Sequence, residues 1–135
     1  MSEFTLDPRL KADSMPVLDL PLCSLRLMND QRFPWLLLIP RRSGMEEILD
    51  LSREDQQQLW VEIRQVTRAM QALLAPDKLN VAALGNQVRQ LHVHVIARYQ
   101  DDDAWPAPVW GVGSPVDYGA ESPLIDRFRA ALDSG

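Results

Sequence analysis

The chain has two histidines, and both fall in one short segment that is well suited to chemistry. Residues 90–96 read Gln-Leu-His-Val-His-Val-Ile, so that polar and apolar residues alternate. In a β-strand this alternation places Gln90, His92 and His94 on one face and the apolar residues on the other. Imidazole titrates near neutral pH and can act as a nucleophile, an acid or a base. The segment therefore predicts a strand with three neighbouring polar side chains that can carry a reaction.

Two other interpretations of these histidines follow from the alternation alone. Two histidines on a solvated sheet face are often only surface residues. A metal site is the other interpretation, because neutral imidazole is a common ligand, but such a site needs at least one further ligand. The sequence has no third histidine, and the acidic run at 101–103 is typical of a solvated turn past the strand end. We therefore expect no metal and no cofactor.

The surrounding sequence predicts the elements that must position the histidines. A helix over 52–74 is the strongest of them, because apolar residues recur at helical spacing after a capping-box-like start at Ser52 and stop before Pro76. The pattern predicts strands at 15–20, 22–28, 35–39, 79–84 and 89–99, and short helices at 7–14 and 124–132. Turn residues at 29–32 join two of the strands into a hairpin. Antiparallel strands with one main helix predict the α+β class.

Length and composition narrow the class of protein. A chain of 135 residues and 15.3 kDa is typical of a single domain, which we predict to span residues 1–135. No apolar run approaches the roughly 18 to 20 residues of a membrane helix, and the first residues lack the pattern of a signal peptide. The one cysteine, Cys23, allows no internal disulfide. These features predict a cytoplasmic protein with no membrane partner.

The charge balance argues against nucleic acid as a partner. The net charge is −5 and the pI is near 4.9, whereas proteins that wrap duplex nucleic acid are usually basic because they neutralise phosphates. A small phosphate-bearing molecule remains compatible with this charge, since main-chain N–H groups and a few side chains suffice to hold it.

The histidine segment resembles a known family motif. Residues 90–96 are similar to the histidine triad (HIT) motif, His-φ-His-φ-His-φ-φ with φ apolar, except that glutamine stands at the first triad position. The hairpin at 22–41, which ends Leu-Leu-Ile-Pro-Arg, resembles the family's strand pair that ends in Ile-Pro-Lys. The helix at 52–74 falls where the family has its main helix, and Trp105-Pro106 resembles a Trp-Pro found near the end of several branches. The resemblance covers a core of about 15–111 and leaves 112–135 as a C-terminal tail.

The resemblance implies a fold, an activity and a mechanism. It implies a HIT-like fold with about five antiparallel strands, one main helix and short terminal helices, usually found as a homodimer that binds a nucleotide over the triad. Family enzymes attack the α-phosphorus of a nucleotide with the middle histidine and form a nucleotidyl-histidine, which passes to water or another acceptor. His92 takes the middle position and His94 the third. Gln90 takes the first, where it can hydrogen-bond to support the neighbouring histidine but cannot titrate.

The resemblance also implies a class of substrate. The expected substrate is a dinucleoside polyphosphate such as diadenosine tetraphosphate, or a nucleoside phosphoramidate. The alternative is a nucleotide-binding regulatory module with little or no turnover. Two departures from the family motivate this alternative: Gln90, and Trp35, which stands where many members have a further histidine before the apolar strand.

The same resemblance implies nucleotide contacts at five further positions. Asn29 resembles the residue that contacts the ribose, Gln87 lies where relatives place a phosphate-binding Ser or Thr, and Asn86 beside it can donate to the same group. Arg98 matches a basic residue that often follows the motif. Each of these residues also has a structural interpretation, as a turn, loop or surface residue. Trp105, with its neighbour at position 110, either forms an aromatic lid or a contact with a partner's cleft, or pins the tail to the sheet.

Overall fold

A five-stranded antiparallel sheet organises residues 3–133, the part of the chain that the computed structural model describes. The elements in chain order are α1 (Pro8–Asp13), β1 (Ser14–Asp19), β2 (Cys23–Met28), β3 (Trp35–Pro40), a short 3-10 helix (Ile48–Asp50), α2 (Arg53–Leu74), β4 (Lys78–Ala82), β5 (Val93–Arg98) and α3 (Pro123–Asp133). The strand order is β1-β2-β3-β5-β4, and every neighbouring pair is antiparallel. The predicted α+β class, with five strands, one main helix and short terminal helices, is confirmed. No helix in residues 3–133 combines the length and the apolar character that crossing a membrane requires.

The main helix forms where its sequence signals predict it. The Ser52 hydroxyl accepts a hydrogen bond from the main-chain N–H of Asp55, which caps the start of α2. The helix ends at Leu74, and the capping residue Ala75 adopts the left-handed conformation with φ of 44° just before Pro76. The apolar face of α2 packs on one side of the sheet through Leu59, Ile63, Val66 and Met70, all of which are buried.

The opposite side of the sheet, which carries the histidines, is covered as well. A second apolar cluster there includes Trp35, Leu37 and Ile39 from β3 and Ile96 from β5. Side chains from outside the sheet complete this cluster, namely Leu10, Phe33, Ala104 and Val109, with Phe4, Leu6 and Trp110 packed against them. All six residues of β5 are therefore buried, because α2 covers one face of the strand. The N-terminal segment and the chain that follows β5 cover the other face.

The strand that carries the histidines is shorter than its alternation predicts. It begins at Val93 rather than at 89, so that Gln90 and His92 lie in the loop before β5. The main-chain N–H of Leu91 donates to the carbonyl of Met45 at 2.9 Å, outside the strand ladder. β4 likewise ends at Ala82 rather than at 84. The prediction of a strand over 89–99 is wrong at its first four residues, and in this loop the N–H of Leu91 donates to the segment that precedes α2 instead of to a neighbouring strand.

Candidate active site

The two histidine rings lie side by side on the covered face of the sheet. Their centroids are 4.8 Å apart, and His92 and His94 expose only 5% and 3% of their surface. His94 is held within β5 by its neighbours across the sheet, Leu37 of β3 and Ala82 of β4. The interpretation of the histidines as solvated surface residues is therefore wrong.

His92 has one ring nitrogen engaged by the main chain. Its Nδ1 lies 2.7 Å from the carbonyl oxygen of Gln90. A carbonyl oxygen can only accept, so the neutral ring carries its proton on Nδ1 and keeps a lone pair on Nε2. The ring borders a cavity of about 180 Å³ whose lining also includes Gly85, Asn86 and Glu46. This arrangement leaves Nε2 of His92 in the state that a nucleophile requires.

His94 is enclosed by two tryptophans. The indole N–H of Trp35 donates to Nδ1 of His94 at 2.9 Å, and Nε2 of His94 lies 3.3 Å from the carbonyl oxygen of Leu84. The ring of Trp110 meets that of His94 edge-on, with centroids 5.0 Å apart. Burial, and to a smaller extent the neighbouring His92, lower the pKa of His94 to about 4 against the raising effect of the Leu84 carbonyl. His94 is therefore neutral at neutral pH.

The segment that follows β5 and carries Trp110 is fixed by the turn after β2. Asp30 and Arg32 form an ion pair at 2.8 Å that is 2% and 11% exposed. The Arg32 guanidinium donates to the carbonyl of Val112 at 2.7 Å, and the Asp30 carboxylate accepts from the N–H of Val116 at 3.2 Å. Hydrogen bonds of this kind, assisted by charge, are stronger than neutral ones. They hold the tail beyond Trp110 against the body of the domain.

The side chain of Gln90 has other partners than the predicted ones. Its Oε1 accepts from the N–H of Asp7 at 2.8 Å, and its Nε2 donates to the carbonyl of Thr5 at 2.8 Å. The contact with His92 comes from the main-chain carbonyl of Gln90 and not from its amide group. This corrects the predicted catalytic role of the Gln90 side chain, which instead fastens the N-terminal segment beside the histidines.

The loop before β5 brings one of the two predicted phosphate-binding residues to His92. Asn86 lines the cavity beside His92, together with Gly85. A Cβ atom at Gly85 would stand 2.7 Å from the carbonyl oxygen of Val88, so only glycine fits this turn. Gln87 is exposed and is not among the residues that line the cavity.

Comparison with known proteins identifies the family of this site. Residues 9–101 match the HIT domain family. The chain belongs to the HIT family. It is similar over 98% of both chains to histidine triad proteins from Bradyrhizobium japonicum, with 46% identity and a TM-score of 0.91, and from Marinobacter aquaeolei VT8, with 44% identity and a TM-score of 0.95. A histidine triad protein from Sinorhizobium meliloti 1021 is 44% identical over 97% of this chain and 96% of its own, with a TM-score of 0.89. No curated protein sequence matches the chain significantly.

Arg98, which the HIT resemblance predicts as a nucleotide contact, is held by an ion pair within the fold. Its side chain is 2% exposed, and its guanidinium makes two hydrogen bonds to the Asp102 carboxylate, of 2.7 and 3.0 Å. It also donates to the Asn80 side chain and to the carbonyl of Ala107, each at 2.8 Å. These bonds tie β5 to β4 and to the chain that follows, so the guanidinium already has partners within the fold. Arg98 also lines a cavity together with Trp105, and its contact with a nucleotide stays a prediction.

The remaining HIT-derived positions border two further cavities. Asn29 lies with Trp35 at a cavity of about 410 Å³, and its Oδ1 accepts from the N–H of Tyr118 at 2.9 Å. Trp105 and Trp110 lie at another cavity, of about 500 Å³, which Lys78 also lines. Trp110 packs against its own chain at Trp35, with ring centroids 5.9 Å apart, and its ring also meets that of His94. These contacts fit both predicted roles, an anchor of the tail and an aromatic lid.

The structure of residues 3–133 shows no group of side chains that could hold a metal ion. Among residues 3–133, no three histidine, cysteine, aspartate or glutamate side chains come together in a position to hold an ion. Cys23 is fully buried, and burial together with the Glu62 carboxylate raises the pKa of its thiol well above its ordinary value. A buried thiol of this kind is a core residue and not a nucleophile.

Proposed function

We propose that this HIT protein is a nucleotide hydrolase or nucleotidyl transferase that acts at the α-phosphate through a nucleotidyl intermediate on His92. The observation that carries the proposal is the hydrogen bond between Nδ1 of His92 and the carbonyl of Gln90. It leaves the lone pair on Nε2, and imidazole with a free lone pair is a good nucleophile toward phosphorus. A reaction in two steps with a covalent intermediate replaces one difficult displacement by two easier ones.

The groups around His92 suit a phosphoryl group. The cavity beside its ring contains the Gly85 turn and the Asn86 amide, which can donate to phosphoryl oxygens. Arg89 also lines this cavity and forms a 3.0 Å ion pair with Glu46, so its positive charge offsets the negative charge of that carboxylate at the edge. Nε2 of His94 lies on the neighbouring ring and can donate a second hydrogen bond to the reacting phosphate.

The substrate of the proposed reaction is a nucleotide derivative with a group leaving from the α-phosphorus. Dinucleoside polyphosphates and nucleoside phosphoramidates both meet this description. Asn29 and Trp105 are the proposed contacts for the nucleoside, since each borders a cavity on the histidine side of the sheet that includes one of the tryptophans around His94. An aromatic ring such as that of Trp105 offers a stacking surface for a base.

The experiment that tests the proposed function is a search for the covalent intermediate. The protein is mixed with excess dinucleoside polyphosphate or nucleoside phosphoramidate, quenched within one turnover and analysed by mass spectrometry. We expect a mass increase of one nucleoside monophosphate less one water, located on His92 by peptide fragmentation and absent from His92→Ala. Turnover without this adduct, or an adduct on another residue, would contradict the mechanism.

A second candidate function is nucleotide binding without turnover. The observation that favours it is the burial of both histidine rings, which are closed in by the N-terminal segment and by Trp110. In this case nucleotides raise the melting temperature, by mass action on the folded state, while no adduct and no hydrolysis product form. The thermal shift and the adduct measurement together therefore distinguish a regulatory module from an enzyme.

We also propose that the chain is a cytoplasmic homodimer. Trp60 and Val61 on α2 are 60% and 50% exposed, and Val81 on the edge strand β4 is 43% exposed. Exposed aromatic and aliphatic side chains of this size are typical of interaction surfaces, and most homo-oligomers are twofold dimers. Sedimentation at micromolar concentration should give about twice the chain mass of 15.3 kDa. A single species at the chain mass would contradict the proposal.

A further inference from the structure

The two histidines of the site are fixed in opposite tautomers. The indole N–H of Trp35 can only donate, so Nδ1 of His94 must accept with its lone pair. The neutral His94 ring therefore carries its proton on Nε2, which points to the carbonyl of Leu84. The neutral His92 ring has the opposite tautomer, because its Nδ1 donates to a carbonyl and its Nε2 keeps the lone pair. One ring thus presents a nucleophile and the other a hydrogen-bond donor.

His94 cannot gain a proton without losing its bond to Trp35. Protonation would place an N–H on Nδ1, directly facing the indole N–H at 2.9 Å. The groups that pack against His94 are Trp35 from β3, Trp110 from the tail, the Leu84 carbonyl from the loop after β4, and His92 from the segment before β5. Among these, His92 is the one titratable group, and its positive form would repel an imidazolium rather than favour it.

A neutral His94 limits the proton chemistry of the site. The N–H of a neutral imidazole can donate a hydrogen bond but is far too weak an acid to protonate a departing amine. The Gln90 amide does not titrate and is bonded to Thr5 and Asp7. Glu46 and Glu47 also line the cavity beside His92, and Glu46 is engaged in an ion pair with Arg89. A carboxylate accepts a proton rather than supplying one.

We propose that Trp35 is a positioning residue that holds His94 as a neutral donor, so that the site selects leaving groups that depart without a proton and prefers phosphoanhydrides to phosphoramidates. This inference rests on the proposed function and names the substrate class of the same site.

The leaving group decides whether the first step needs a proton. The lone pair on Nε2 of His92 forms the bond to the α-phosphorus, and the bond from phosphorus to the leaving atom breaks with its electron pair. From a phosphoanhydride that pair stays on oxygen, and the leaving phosphate or polyphosphate is stable as an anion. From a phosphoramidate the pair would stay on nitrogen, and departure requires a proton that His94 does not provide. In the second step water attacks phosphorus, the pair returns to Nε2, and one proton of the water passes to solvent.

The experiment compares two variants, in each of which phenylalanine replaces a tryptophan that contacts His94. Trp35→Phe removes the N–H that bonds to His94, whereas Trp110→Phe alters a ring that meets His94 edge-on. Nitrogen-15 NMR of the histidine side chains reports the tautomer and the titration of His94 without any substrate. The same proteins are then assayed with a dinucleoside polyphosphate and with a phosphoramidate of the same nucleoside, and kcat/KM is compared for the two.

The wild type and Trp110→Phe should show His94 protonated at Nε2 alone and neutral down to acidic pH. Trp35→Phe should show both tautomers and a raised His94 pKa, because protonation no longer costs the hydrogen bond to Trp35; burial still holds this pKa below its ordinary value. The preference for the anhydride should fall in Trp35→Phe by about tenfold or more, a part of the roughly 10²- to 10⁴-fold that a fully effective general acid contributes.

A His94 proton on Nδ1 in the wild type would overturn the role of Trp35. The same holds if a folded Trp35→Phe variant shows the wild-type tautomer and pKa of His94. If Trp35→Phe proves unfolded, Trp35→Met, which also lacks an N–H donor and packs flexibly in apolar surroundings, takes its place in the same measurements. A preference that stays constant while the tautomer changes would overturn the assignment of the substrate class. Failure of the proposed function is distinct from all of these, because then neither substrate is hydrolysed while the NMR result stands.

Discussion

Replacing His92 with alanine should abolish hydrolysis and leave the fold intact. The expected loss in kcat is about 10³-fold or more, because the variant lacks the atom that forms the bond to phosphorus. The ring lies at the edge of a cavity, and the hydrogen bond that holds it goes to the main-chain carbonyl of Gln90, so its removal leaves the apolar clusters in place. Steady-state kinetics on the wild type and the variant, with circular dichroism to verify folding, measure this effect.

Gln90→Ala is the matched comparison for this prediction, since the residue lies two positions away and its main-chain carbonyl survives the substitution. The variant loses the two hydrogen bonds to the N-terminal segment and keeps the bond that orients His92. Its turnover should therefore fall far less than that of His92→Ala. A His92→Ala variant within threefold of the wild type would exclude His92 as the nucleophile, and a folded Gln90→Ala variant as inactive as His92→Ala would show that the Gln90 amide takes part in the reaction.

The fold could be predicted from the sequence because its signals are local. The cap at Ser52, the helical spacing of apolar residues and Pro76 define α2 within a residue of its observed start, Arg53, and at its observed end, Leu74. The turn after β2 and the apolar run of β3 likewise define the hairpin, which pairs from Cys23 to Pro40. Each of these features depends on neighbours a few residues away, and the pattern of residue types records them directly.

The contacts that tune the site could not be predicted in the same way, because each joins segments far apart in the chain. Trp35 and His94 are 59 residues apart, and only the antiparallel pairing of β3 with β5 brings their rings together. The Gln90 amide bonds to residues more than 80 positions away. Strand alternation gave the correct face for His94, but it does not reveal that a tail and an N-terminal segment cover that face.

Glu62 is a further buried polar residue that the pattern does not reveal. It is fully buried within the apolar face of α2, where its carboxylate accepts from the N–H groups of Leu22 and Cys23, each at 2.8 Å. Helical spacing places position 62 beside the apolar residues Leu59 and Ile63, but nothing local shows that unpaired main-chain donors before β2 require an acceptor there.

Arg98→Ala should be among the most destabilising single substitutions in this chain. The side chains of Arg98 and Asp102 are 2% and 4% exposed, so removal of the guanidinium leaves a buried carboxylate without its charge partner. Breaking a buried ion pair in this way costs about 3 to 5 kcal/mol in the free energy of unfolding. The Asn80 side chain and the Ala107 carbonyl lose their donors as well. Urea denaturation of the wild type and the variant at neutral pH measures the loss.

Acid pH provides a second measurement of the same pair. Burial raises the pKa of Asp102, but hydrogen bonds from Arg98 and from the N–H groups of Tyr99, Ala104 and Trp105 outweigh it and lower the pKa to about 2. A carboxyl group whose pKa is lowered by folding stabilises the protein above its unfolded pKa of about 3.9, and this stability is lost as the pH falls through about 2. Without Arg98 the pKa of Asp102 rises, so the difference in unfolding free energy between wild type and Arg98→Ala should narrow as the pH falls from about 4 toward 2.

Arg89→Ala is the control for both measurements, because Arg89 also pairs with a carboxylate but at the surface. The side chains of Arg89 and Glu46 are 78% and 50% exposed, and an exposed pair contributes about 0 to 1 kcal/mol. The control should therefore unfold close to the wild type at neutral pH and follow it as the pH falls. Equal losses in the two variants would show that the burial of Arg98 does not set its contribution, and a loss in Arg98→Ala that stays constant down to pH 2 would show that the Asp102 charge is not its source.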